Sequence, residues 1–203
     1  MTYIDILTSQ LFALGFMGLT LLYIIIHGIF LYRKGKSAEA AISSGAIPLA
    51  LLGFYAFISS LYGQFTWPLP GSYNILYYDI FVLVGLLFIG GAWSIYKGMK
   101  IQYIGFMGFL LGIMSIIYGT SAYNLRLSQS PLGVLGLFLL FGISGILGWP
   151  LTIMVDRAEA KVKNKSSAWI LLVILFSIFI FLASVVALYT ASVALPVHLK
   201  SPP

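Results

Sequence analysis

Asp79 is the acid whose place in the sequence puts it inside a long apolar run, in Tyr73-Asn74-Ile75-Leu76-Tyr77-Tyr78-Asp79. An ionisable side chain at membrane depth is costly, so it marks either a functional site or a firm structural need. Asp79 falls about one turn into its run, near the outer interface. A carboxylate there is also favoured by the positive N-terminal end of the helix that carries it. Arg126 is the basic residue of an outer loop between spans. It is the expected partner, in an ion pair that pins two loops. The other reading groups Asp79 with Arg126, Asn74 and Gln64 as an outer polar cluster, a gate or a binding site for a proton or cation.

His27 is a second candidate, about one and a half turns from the basic end of the first apolar run. A haem b in a membrane bundle would need two axial histidines at matching depth. The only other histidine is His198, beyond the last run and on the opposite side. One chain therefore cannot clamp a haem between them, which leaves a shared or one-histidine site holding haem or quinone. Hydrogen bonding within the bundle, or snorkelling to the interface, is the plainer role for His27. Catalysis finds no set of residues. The chain has no cysteine, hence no thiol nucleophile and no thiolate metal site. There is no carboxylate pair within the apolar runs, no zinc-type histidine spacing and no phosphate-binding Gly-Lys-Ser motif. Ser59 and Ser60 have no accompanying base, and hydroxyls in helices mostly bond back to their own backbone. No enzymatic activity, metal or cofactor is expected.

The elements that must position these residues follow from composition. Of 203 residues, 61% are hydrophobic and 8% charged, against about 45–50% and about 25% in a soluble domain. The mean hydropathy is +1.04. So few charges cannot coat a soluble domain of this size, and lipid must be the main solvent. A spanning helix needs about 20 mostly apolar residues. Six such runs occur, at about 11–32, 42–65, 74–96, 101–123, 132–155 and 168–195. They predict an all-α integral membrane protein, one domain over 1–203, built as a six-helix bundle. Pro68, Pro70 and Gly71 force a tight turn after the second run, and Pro196 is expected to end the sixth. Pro48 and Pro150 lie near helix ends, where they would kink a helix without breaking it at the midplane. The first run is read as a retained helix, because its positive cluster follows it and a signal peptide's precedes.

Nine of the eleven Lys and Arg fall on one side: Arg33, Lys34, Lys36, Lys97, Lys100, Arg157, Lys161, Lys163 and Lys165. The positive-inside rule makes that side cytoplasmic and places both termini outside. The formal charge of +6 is then an orientation signal and no nucleic-acid footprint. These loops suit attraction to anionic lipid, worth about 1 kcal/mol per basic residue. Trp67, Trp93, Trp149 and Trp169, with Tyr62, Tyr73, Tyr118, Tyr123 and Tyr189, sit where aromatic interface anchors are expected.

Between helices in lipid, small residues allow close approach. Gly98, Gly105, Gly112 and Gly119 recur every seven residues, nearly on one helix face. The fifth run offers Gly133, Gly136, Gly142, Ser144, Gly145 and Gly148. These faces predict a tight contact between spans four and five. The sharper alternative is a narrow path or a lipid or quinone slot along the glycines.

The stretch Thr66-Trp67-Pro68-Leu69-Pro70-Gly71-Ser72-Tyr73-Asn74-Ile75-Leu76, followed by Asp79, resembles the signature of an archaeal multi-pass membrane family catalogued as domain of unknown function 981. The resemblance implies a small archaeal integral membrane protein with no assigned activity. It makes the loop Trp67, Pro68, Pro70, Gly71, Tyr73 and Asn74, with Asp79, the segment to test. The functional expectation is a non-catalytic subunit or scaffold of a larger membrane complex, a respiratory one among the options, with other membrane subunits or itself as partners. A small transporter or channel using Asp79 is the alternative, and a haem- or quinone-associated redox subunit near His27 the third.

Overall fold

The computed structural model describes residues 6–34, 39–69, 71–158 and 167–200. Asp5, Lys36, Pro70, Glu159, Lys161, Lys163 and Lys165 lie outside the described residues. Six helices make up the regular structure of the described residues: α1 (Ile6–Arg33), α2 (Glu39–Thr66), α3 (Ser72–Tyr96), α4 (Gln102–Asn124), α5 (Pro131–Ala158) and α6 (Ser167–Lys200). All six are long and apolar enough to cross a membrane. At 1.5 Å per residue even the 23-residue α4 is about 35 Å long, more than a hydrocarbon core of about 30 Å.

Two helices outrun the sequence expectation. α1 begins at Ile6 rather than near Leu11, and α6 continues through Pro196 to Lys200. A proline removes one backbone donor. In the last turns of a helix few bonds depend on it, so α6 bends no rule by continuing. Pro48 and Pro150 are likewise retained inside α2 and α5.

Each helix packs on its neighbours in sequence, and α1 closes against α6. The tightest pairs are α4–α5 and α2–α3, while α3–α4 is the loosest seam. Three apolar clusters fill the interior. Leu11, Leu137, Ala187 and Ala191 join α1, α5 and α6. Leu76, Ile80, Ala122 and Phe138 join α3, α4 and α5. Met17, Ala56 and Phe81 join α1, α2 and α3. Only 22% to 28% of the most apolar window of each span is buried within the chain. The rest of each surface must meet something apolar, which fits a lipid bilayer.

The glycine faces explain the tight pairs. Every buried residue of α4 is Gly, Ser or Ala: Gly105, Gly112, Ser115, Gly119 and Ala122. A Cβ placed on Gly112 would lie 2.5 Å from the carbonyl oxygen of Gly142, and one on Gly145 2.6 Å from that of Gly108. Gly142 meets the Gly112 carbonyl in the same way, at 2.9 Å. Gly119 gives room to Phe138, and Gly105 to Thr152. The α2–α3 pair uses the same device, with Gly85 set against the backbone of Gly53 and Phe57.

Four glycines depart from the packing expectation: Gly136 has nothing within 4 Å of a built Cβ, Gly133 meets only Ser130 of its own first turn, and Gly98 and Gly148 depart as follows. Gly98 is not on α4. It follows α3 at φ 62°, with open space where a Cβ would be. Its N–H donates to Ile95 O (3.1 Å) and the Met99 N–H to Ser94 O (2.8 Å). That bond pattern closes a helix with a left-handed residue, which glycine adopts without strain. The seven-residue spacing therefore ran one step past the helix. Gly148 turns away from α4, and its nearest neighbour is the Phe176 ring of α6, 3.6 Å from a built Cβ.

Candidate functional site

Asp79 sits two turns into α3, half-buried. Its Oδ1 accepts a hydrogen bond from Gln64 Nε2 of α2 (3.0 Å), and its Oδ2 accepts one from Tyr118 Oη of α4 (3.1 Å). One carboxylate thus ties three consecutive helices together through two neutral donors. The expected ion pair with Arg126 is not made. Arg126 is exposed, beyond the end of α4 and at φ 50°. Depth explains this. Tyr118 lies eight residues before Arg126, about 12 Å lower on a helical rise, and level with Asp79. Sequence position alone makes Tyr118 an interface anchor. Its position two turns before the end of α4, opposite an acid two turns into α3, was the signal that could have paired them.

Asn74 belongs to the loop and not to the acid. It is buried. Its Nδ2 donates to the Gly63 carbonyl (3.1 Å), while its Oδ1 accepts from the Leu69 N–H (3.3 Å). The same Gly63 oxygen accepts the Trp67 N–H (3.0 Å). Trp67 has φ 50° and Gly71 φ 53°. Asn74 therefore bolts the turn from Trp67 to Gly71 onto the last turn of α2. A bulky residue at positive φ is strained and must be held by its surroundings. Pro68 is half-buried within this turn, and Tyr73 stacks on Tyr77 with ring centroids 6.3 Å apart. Gly63 also leaves space for the Tyr78 ring, which is wholly buried.

A family model described as "Protein of unknown function (DUF981)" matches residues 1–201. The chain belongs to the DUF981 family. Neither a curated protein nor a solved structure matches it. The DUF981 match covers nearly the whole chain and so includes the turn, the acid and the helices that hold them.

At the opposite end of the bundle Asp156 has an unanticipated role. Its Oδ1 accepts from the Ile101 N–H (3.0 Å) and its Oδ2 from the Gln102 N–H (2.9 Å). The first backbone donors of a helix lack partners within it, and α4 has no cap from its own N-terminal side chain. Asp156 of α5 supplies that cap from another helix, with its charge against the positive helix end. The cap and the glycine seam act on the same pair, α4 and α5.

His27 is half-buried on α1, its ring 5.8 Å from that of Tyr23. His198 contacts Thr8 (Nδ1···Oγ1, 3.2 Å), which joins the start of α1 to the end of α6. The nineteen residues from Thr8 to His27 put the two histidines about 28 Å apart along the bundle. Among the described residues no group of three or more His, Cys, Asp or Glu could hold a metal ion. Near the same end as His198, Gln10 of α1 is wholly buried. Its Nε2 donates to Ser59 Oγ (2.9 Å) and Ser60 Oγ (3.0 Å) of α2. Gln10 falls one residue before the apolar run that starts near Leu11, yet it belongs to α1, which begins at Ile6.

Proposed function

We propose that this DUF981 protein is a non-catalytic integral membrane subunit, a rigid six-helix unit that serves a larger assembly in the cell membrane. Both termini face outward in this reading, and the basic end meets the cytoplasm and its anionic lipid. The observation that carries it is the use made of the polar side chains. Asp79 ties α2, α3 and α4; Asn74 holds the α2–α3 turn; Asp156 caps α4 from α5; Gln10 ties α1 to α2. These four polar side chains are all committed to joining helices. Interhelical hydrogen bonds of this kind are worth about 0.6 kcal/mol on average in lipid, so several together favour one fixed arrangement. A rigid unit with a broad apolar exterior suits a partner that docks side on.

Purification in mild detergent, with mass spectrometry of the bound chains, tests this. A second membrane chain at fixed stoichiometry supports it. Recovery of this chain alone, at every detergent strength, overturns it.

One observation favours a second reading. The donors on Asp79 are both neutral, so among the described residues the carboxylate has no cationic partner and could take a proton or small cation during transport. Proteoliposomes carrying the wild type and Asp79→Asn decide this. Cation or proton flux that vanishes in the variant, with unchanged thermal stability, would favour transport over a purely structural acid.

A further inference from the structure

The loose α3–α4 seam leaves an open groove of about 330 Å³. Leu83, Leu86 and Leu87 of α3 form one wall, and Ile104, Met107 and Met114 of α4 the other. Every side chain on the lining is Leu, Ile or Met. Leu86 and Met107 are about half exposed, so the groove opens on the outside of the bundle. Its depth is set by the two helices. Met114 lies about 18 Å from the start of α4, and Leu83 about 20 Å from the end of α3. Ile104, at the other end of the groove, is about 3 Å into α4. The groove therefore runs about 15 Å from the basic end of the bundle to the middle of the span. That is one leaflet of a hydrocarbon core of about 30 Å. A lipid chain occupies one leaflet, whereas a spanning helix of a partner would need a groove through both.

Both walls end in an aromatic ring and then a lysine. Trp93 follows Leu86 by seven residues, and Tyr103 precedes Met107 by four, so each ring continues its wall toward the basic end. Both rings are exposed, at the depth where aromatic side chains meet headgroups. The short turn that joins the walls carries Lys97 and Lys100, both exposed. The Lys97 ammonium stands 5.1 Å from the centre of the Trp93 ring and 5.4 Å from that of Tyr96. Ring faces attract its charge and hold it on the α3 wall, while an ammonium's three N–H donors leave it able to bind an oxyanion. Asp156, the carboxylate beside this turn, has its two oxygens on the Ile101 and Gln102 N–H groups. The mouth of the groove is thus cationic and its interior wholly apolar. An anionic head on a hydrocarbon chain complements both.

We propose that the α3–α4 groove binds one anionic phospholipid of the cytoplasmic leaflet, its phosphate on Lys97 and Lys100 and one chain along Leu86, Leu87 and Met107. The proposal rests on the reading that the basic end of the bundle meets anionic lipid, and gives that lipid a site.

The test places the full chain in nanodiscs of dioleoylphosphatidylglycerol and dioleoylphosphatidylcholine at equal mole fraction, read by native mass spectrometry. One phosphatidylglycerol per chain should be retained about thirtyfold over phosphatidylcholine, the factor that two basic residues supply at a membrane surface. Lys97→Gln with Lys100→Gln should bring the two lipids close to equal retention. Met107→Trp fills the groove and leaves both lysines, and should release the retained lipid. Leu86→Trp fills it from the other wall and carries the comparison if Met107→Trp does not fold. Arg33→Gln with Lys34→Gln, at another basic loop, should leave the retained lipid in place. A preference for phosphatidylglycerol that survives the lysine pair, or that survives filling of the groove, overturns the site while leaving the basic end attractive to anionic lipid. No preference in the wild type overturns both. Recovery of paired chains with no lipid retained overturns the site in favour of a second copy.

Discussion

Adding one methyl group at Gly112 of α4 should loosen the bundle more than adding one at Gly136 of α5, although both glycines belong to the helices of the tightest pair. At Gly112 the new Cβ would meet the Gly142 carbonyl oxygen at 2.5 Å and the Ile146 nitrogen at 2.9 Å. Both are backbone atoms, so no rotamer change relieves the contact. Ordinary separations of about 3.5 Å return only if the helices part by about 1 Å. A gap of that size forfeits a quarter to a half of each van der Waals contact along the seam. In lipid no hydrophobic gain offsets the loss, because the tails are as apolar as the helix. Overpacking of this kind costs about 1–3 kcal/mol. Against it stands the helix preference of alanine over glycine, about 0.5–1 kcal/mol. The net expectation is a destabilisation of about 0–2.5 kcal/mol, centred near 1 kcal/mol. At Gly136 nothing lies within 4 Å of a built Cβ, so only the helix preference acts, and Gly136→Ala should be neutral or slightly stabilising. Thermal unfolding of wild type and both variants in the same detergent measures the order. If Gly112→Ala unfolds with the wild type, or if Gly136→Ala is the more damaging, backbone contact does not hold α4 to α5 and the reasoning fails.

Three further expectations follow from single contacts. Asp156→Ala removes both bonds to the start of α4 and should cost about 1–2 kcal/mol, the range of a lost helix cap, with faster hydrogen exchange at the Ile101 and Gln102 amides as the local readout. Asp79→Leu should destabilise by about 1–3 kcal/mol by leaving Gln64 and Tyr118 unpaired, whereas Asp79→Asn keeps an acceptor for either donor and should cost less; equal thermal midpoints for the two variants would argue against the three-helix tie. Arg126→Gly should match or exceed the wild type in stability, since it relieves a positive φ and breaks no bond to Asp79; a clear loss in a thermal melt would restore the ion pair.

The number of spans was legible because each depends on a local run of apolar residues long enough for a bilayer, and such a run needs no knowledge of its neighbours. The glycine faces of α4 and α5 were legible for a related reason. Small residues at a helical period leave a face on which two backbones can meet, and two such faces occur in adjacent spans. The same periodicity misplaced Gly98, because spacing carries no information on where a helix stops. Pro196 misled in the same way, since a proline in a last turn displaces few bonds.

The partners of the polar residues were decided only in three dimensions. Asp79 had a basic residue in the right loop, yet Arg126 ends up about two turns too high and on the surface. A tyrosine at matching depth and a glutamine on the preceding helix take its place. Asp156 could be counted as a charge but not seen as the cap of a helix that starts 54 residues earlier. Gln10 meets Ser59 and Ser60 only because α1 and α2 lie side by side. Composition fixes what the solvent must be and how many helices cross it. Which side chains meet depends on the depth and rotation of each helix, and packing across the whole bundle sets those.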